Sequence, residues 1–281
     1  MEKVRSRDGT SIAFDRTGSG PALVLVDGAL CHRGFGPLPA LAAELARDFT
    51  VLTYDRRGRG DSGDTAPFAP EREIEDLAAL LAEAGGSASV CGVSSGAALA
   101  LEAANRGLAI TRLALYEAPF IVDDARAPLP DGYLDELGRR LDAGRRGDAV
   151  RLFMEVVGVP RAFVLLMRLM PAWKRLQAVA HTLPYDFAFV GVFQRGEPLP
   201  RERWRGVRAP TLVAVGGKSP AWMQNAMRAL TDVLPDARRV TLPGQTHMVK
   251  PKVLAPALAE FFLAQDGARR VAPAGANSTS R

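Results

Sequence analysis

The sequence predicts an α/β fold: a mostly parallel, eight-stranded sheet with helices on both faces and a helical insertion. Three observations carry this. Short β-branched apolar runs alternate with longer helix-periodic stretches up to about residue 120. The same rhythm returns after Pro210. Several runs are apolar without alternation, which suits parallel strands covered on both faces.

The elements follow in order. Lys3 to Ser6 and Ser11 to Asp15 read as a hairpin about Asp8-Gly9. Ala22-Leu-Val-Leu-Val26 and Val51-Leu-Thr-Tyr54 read as buried strands, with helical spacing over 37–48 between them. Ile74 to Ala84 is amphipathic and stops at Gly85-Gly86. Ala88 to Val93 is a strand, Ser95 to Arg106 an Ala/Leu-rich helix closed by Gly107, and Leu113 to Tyr116 a strand. Residues 121–207 carry no strand pattern. They read as helices bearing Phe153, Met154, Phe163, Met167, Met170, Trp173, Phe187, Phe189 and Phe193. Thr211 to Val215 and Arg238 to Leu242 then read as strands, Trp222 to Leu234 and Val253 to Leu263 as helices. The expected division is a core of 1–120 and 208–265, a helical cap of 121–207 and a flexible tail of 266–281.

Composition narrows the function. Apolar residues make up 47% and charged residues 24% of 281, which excludes disordered and fibrous classes. The formal net charge of +5 is spread thinly, and its densest cluster, Arg56, Arg57 and Arg59, falls in a Gly-rich turn. It reads as solubility rather than a nucleic-acid footprint. No run approaches the ~18 apolar residues of a membrane span. The polar N-terminus lacks an apolar signal region, so a cytoplasmic protein is expected. Cys31 and Cys91 read as small buried thiols. The three histidines lie far apart, so no metal is expected. Without a dinucleotide fingerprint, no cofactor is expected either; the expected partner is a small-molecule substrate, and the oligomeric state is left open.

The sharpest motif is Gly92-Val-Ser94-Ser-Gly96, which ends a strand and opens a helix. So abrupt a turn puts Ser94 in a strained backbone at the carboxyl edge of the sheet. Side chains two residues either side would clash, hence the glycines. The helix start offers free N–H groups, and that of Ser95 would face a developing oxyanion. A second motif, Asp55-Arg-Arg-Gly58-Arg-Gly60-Asp-Ser62, follows the fourth strand.

With these two motifs the chain resembles the α/β-hydrolase superfamily, in its serine-nucleophile branch with a helical cap. The resemblance covers roughly residues 1–265. It implies an oxyanion loop after the third strand, here Asp27-Gly28-Ala29, with Asp in place of the usual His. The N–H of Ala29 would be the second donor. A carboxylate beside an oxyanion is unfavourable unless it points away or is paired. The resemblance places the base at His247, in Pro243-Gly-Gln-Thr-His247, after the last strand.

The acid departs from the commoner pattern. The loop after the seventh strand, Gly216-Gly-Lys-Ser219-Pro-Ala-Trp222, holds Ser219 where Asp is expected, and no carboxylate occurs between Glu202 and Asp232. Haloalkane-dehalogenase-like members use the sixth strand instead, which points to Glu117. Asp123, Asp124 and Asp186 are weaker alternatives. His32, His181 and Trp222 are candidate pocket residues beneath an apolar, Met-rich cap. The function implied is a serine hydrolase of small, mostly apolar ester, lactone, thioester or amide substrates. Two alternatives stand beside it: a C–C bond hydrolase or non-hydrolytic cyclase or lyase in the same pocket, and a ligand-binding protein without turnover.

Overall fold

The computed structural model describes residues 1–264; the expected tail, 266–281, lies outside them. The sheet begins with the antiparallel pair β1 (Glu2–Arg5) and β2 (Ser11–Thr17). β3 (Ala22–Val26), α1 (Leu38–Leu45), β4 (Thr50–Tyr54), α2 (Pro70–Glu83), β5 (Ala88–Val93), α3 (Ser95–Asn105) and β6 (Ile110–Tyr116) follow. The insertion comprises α4 (Tyr133–Asp142), α5 (Arg146–Val156), α6 (Arg161–Met167), α7 (Pro171–Ala178) and α8 (Leu183–Val190), with single 3-10 turns at Ala180–Thr182 and Gly191–Phe193. β7 (Thr211–Gly216), α9 (Ala221–Val233), β8 (Ala237–Leu242) and α10 (Pro251–Leu263) complete the chain. The strand order is β1-β2-β4-β3-β5-β6-β7-β8, and β3 to β8 pair in parallel.

The two-residue period of a strand sorts the core. Val24 and Val26 face one layer, with α2, α3, α9 and the insertion. Leu23 and Leu25 face the other, where Leu41 and Leu45 of α1 meet Leu254, Leu258 and Phe261 of α10. Each such side chain contributes about 1.5–3 kcal/mol by leaving water. α8 packs on α3, so the insertion rests on the helix that starts at Ser95. Within it Trp173, Phe187 and Phe189 are buried, while Phe163 and Met170 are exposed.

Two expectations are corrected. β6 begins at Ile110 rather than Leu113: Ile110 pairs with Ala88, and the register then shifts across Thr111 and Arg112, which interrupt the apolar run, before Leu113 pairs with Val90. Arg56, Arg57 and Arg59 are not solvated charges. Each is at most 1% exposed and tied to carboxylates, Arg56 to Glu73 and Asp186, Arg57 to Asp76 and Asp8, and Arg59 to Asp186. Burial of a guanidinium demands such pairing. No helix among the described residues is long and apolar enough to cross a membrane.

Candidate active site

Three non-glycine residues among those described adopt positive φ: Leu30 (62°), Ser94 (56°) and Glu117 (49°). Such conformations cost about 1–3 kcal/mol each and persist where the surroundings enforce them. All three lie just beyond the carboxyl ends of adjacent strands, β3, β5 and β6.

At Ser94 the enforcement is steric and hydrogen-bonded. Its N–H donates to Tyr116 O at 2.9 Å. A Cβ at Gly92 would lie 2.4 Å from Gly96 O, and one at Gly96 would lie 2.4 Å from Val26 O. Both glycines are therefore required by close backbone approach. α3 starts at the next residue, so the Ser95 N–H belongs to a helix's first turn and has no intrahelical acceptor.

The loop after β3 lies against this turn. A Cβ on Gly28 would sit 3.5 Å from Ser94 Oγ. The Asp27 carboxylate points back along its own loop and accepts the Gly28 N–H at 2.9 Å. Among the described hydrogen bonds none uses the following N–H, of Ala29. Burial pushes the Asp27 carboxyl up to about 7, against the Gly28 hydrogen bond and the charges of Arg59 and Arg56. At neutral pH its charge is thus only partly expressed, which eases the conflict with an anion nearby.

Glu117 is fully buried, and both its oxygens are engaged. Oε2 lies 2.8 Å from His247 Nδ1. Oε1 accepts Ser219 Oγ–H at 2.6 Å and the Gly216 N–H at 2.7 Å. Burial raises its pKa, but the bonds from His247, Ser219 and Gly216 outweigh burial and hold it below the usual carboxylate range. Ser219, in the loop where an acid was expected, supports the acid on the neighbouring strand. Sequence reasoning missed that role. The Tyr116 hydroxyl donates to Thr246 O at 2.6 Å and fastens the His247 loop. The His247 side chain is 44% exposed. With Nδ1 held by Glu117, Nε2 is the ring nitrogen turned away from the carboxylate.

The other candidates lie differently. His181 faces the Gly58 turn and Asp64, with Nε2 3.6 Å from Asp64 Oδ2. Trp222 lies under the Arg126 guanidinium, 4.2 Å from its ring centroid. His32 Nδ1 accepts the Gly34 N–H within its own loop. No described contact joins any of these three to Ser94. Asp186, the alternative acid, is committed to Arg56 and Arg59, and Asp123 bonds Asn225. Two cavities, of about 480 and 110 Å³, are lined by other residues than Ser94, Glu117 and His247. Among the described residues no cluster of three metal-ligating side chains occurs.

This arrangement fixes an imidazole on a buried carboxylate and sets a serine on a strained turn at the start of a helix, where a first-turn N–H has no intrahelical acceptor. Residues 7–257 match the Alpha/beta hydrolase family, and the chain belongs to it. An alpha/beta hydrolase from Sphaerobacter thermophilus is 54% identical, with a TM-score of 0.86 over 93% of this chain and 100% of that one. An esterase from Thermogutta terrifontis (24% identity, TM-score 0.63, 92% and 96% covered) shares the fold. So does the enol-lactonase from Burkholderia xenovorans (21%, TM-score 0.64, 92% and 99% covered). No curated protein matches the sequence.

Proposed function

We propose that the chain is a cytoplasmic serine hydrolase that cleaves small, mostly apolar carbonyl substrates through an acyl-enzyme. The carrying observation is the Glu117–His247 contact of 2.8 Å in a chain that also holds Ser94 at φ 56° at the strand–helix turn. Ser94 Oγ attacks the carbonyl carbon while His247 Nε2 takes the hydroxyl proton. Glu117 fixes the tautomer through Nδ1–H and stabilises the imidazolium. The N–H groups of Ala29 and Ser95 hold the oxyanion, at about 3 kcal/mol per donor. Collapse expels the leaving group, which receives the proton from His247. Water then attacks the acyl-enzyme, giving its proton to His247, and releases the acid and free Ser94. The reaction so written uses only side chains, backbone amides and water. The same fold serves an esterase and an enol-lactonase, which makes ester and lactone bonds the first to assay. His32, His181 and Trp222 are retained as pocket residues.

The test is a fluorophosphonate probe followed by mass spectrometry. The expected adduct is on Ser94 and disappears in His247→Ala. Intact protein that takes no label at Ser94 overturns the reading.

A further inference from the structure

Asp186, near the start of α8, is 2% exposed and a long way in sequence from the residues it binds. Its Oδ1 accepts from Arg56 Nη1 at 2.6 Å and from Ser95 Oγ at 2.7 Å. Its Oδ2 accepts from Arg59 Nη2 at 2.7 Å. Each guanidinium then reaches the loop after β3. Arg59 Nη1 donates to Gly28 O at 2.7 Å and to Cys31 O at 3.3 Å, and Arg56 Nη1 to Asp27 O at 3.3 Å. Their remaining donors go to Glu73, which takes Arg56 at 2.6 and 2.7 Å, and to Thr182 Oγ1, which takes Arg59 Nε at 3.0 Å.

One of these bonds has a direct geometric consequence. Gly28 C=O and Ala29 N–H belong to the same peptide plane. In a trans peptide they point in opposite directions. A guanidinium pulling the Gly28 oxygen therefore aims the Ala29 N–H the other way. A charged donor on that oxygen also polarises the amide and makes its N–H a better donor. The second oxyanion donor, Ser95 N–H, sits on the residue whose hydroxyl Asp186 holds.

We infer that Asp186 is a positioning residue: its single carboxylate, from the helical insertion, sets the orientation of both oxyanion N–H groups through Arg59 and Ser95. This rests on the proposed hydrolase reading for its catalytic consequence, but not for its geometry. The role also ties the docking of the insertion to the competence of the site. With the insertion displaced, Arg56 and Arg59 lose an anion and the loop loses its grip.

The test compares Asp186→Asn and Ser95→Ala with Glu136→Gln, which alters an exposed pair on α4. Rates on a p-nitrophenyl ester are divided by the number of active sites titrated with the fluorophosphonate, so that unfolded chains do not count. The expected result is a kcat about 10–100-fold lower in Asp186→Asn and about 3–10-fold lower in Ser95→Ala, with KM within about threefold. These losses correspond to displaced transition-state donors rather than lost substrate binding. Amide hydrogen exchange over residues 27–31 is expected to quicken in Asp186→Asn and to stay unchanged in Glu136→Gln. Ser95→Ala keeps every buried ion pair and decides the question by itself where Asp186→Asn does not fold. Unchanged kcat per titrated site, with unchanged exchange over 27–31, overturns the inference. A wild-type chain that takes no label at Ser94 overturns the hydrolase reading alone, and the exchange measurement still decides the role of Asp186.

Discussion

Two charged clusters, one built on the turn after β4 and one on the residue after β6, follow opposite principles. Around Arg56, Arg59 and Asp186 every charged group is buried and satisfied by several partners. Around Glu117 the acid is just as buried, but its chain of bonds ends at an imidazole open to solvent. The first cluster has nothing left to react with; the second delivers its last hydrogen-bonding capacity outward. Saturation makes a scaffold, and a network stopped one bond short makes a reagent. Backbone strain follows the same division. It is concentrated at Leu30, Ser94 and Glu117, where groups are aimed, while the arginines lie on ordinary backbone.

The contrast sharpens under mutation. In the open network, Glu117→Gln keeps the shape but removes the anion that fixes the His247 tautomer. Turnover of a p-nitrophenyl ester at neutral pH is expected to fall on the order of 10³–10⁴-fold. A loss under tenfold would mean that the acid lies elsewhere. On the same turn as the saturated network, Arg57 is likewise buried on carboxylates, and Arg57→Met strands the buried Asp76. A destabilisation of about 3–5 kcal/mol in urea melts is expected, with activity per folded molecule retained.

Asp27 borders the saturated cluster, where the charges of Arg56 and Arg59 act on it, and its pH dependence is a further test. Its carboxyl sits at about 7 in the fold, against an ordinary 3.8. Below about pH 4 it is protonated whether folded or not. As pH rises to about 7 the unfolded chain ionises first, so wild-type stability falls, and above that the loss is complete. Asp27→Asn escapes this. Its advantage in Tm is expected to grow between pH 4 and 7 and then level off; a constant difference across that range would contradict the assignment. The smallest effect is expected for Ser219→Ala. Losing one bond to Glu117 raises that carboxyl toward its ordinary range. Since a depressed carboxylate stabilises at pH above its unfolded value, the variant is expected to lose about 1–2 kcal/mol at pH 7. The deficit should shrink as pH falls through the Glu117 pKa in thermal melts.

What the sequence discloses follows from locality. The turn at Ser94 is legible because its requirements, two glycines and a strand before a helix, lie within a few residues. The strands are legible because double-sided burial leaves an apolar run, as at Ala22–Val26. Glu117 comes from resemblance and elimination, since the loop at 216–222 holds no carboxylate. Ser219 supporting that acid leaves no mark, because a serine in a loop has many uses. The arginine cluster misleads outright. Charges in a Gly-rich turn ordinarily face water, and the carboxylate that buries Arg56 and Arg59 lies on the insertion, 130 and 127 residues further along. Spacing arguments have no reach at that range.

The Asp186 carboxylate also limits how this architecture can be recombined. Exchanging helical insertions between relatives is an obvious route to new selectivity. Here a donor segment without an acid at that point would leave the buried Arg59 guanidinium without its carboxylate and Arg56 with Glu73 alone. The tradable unit is therefore larger than the insertion. It is the insertion together with Arg56 and Arg59, moved as one set or left alone.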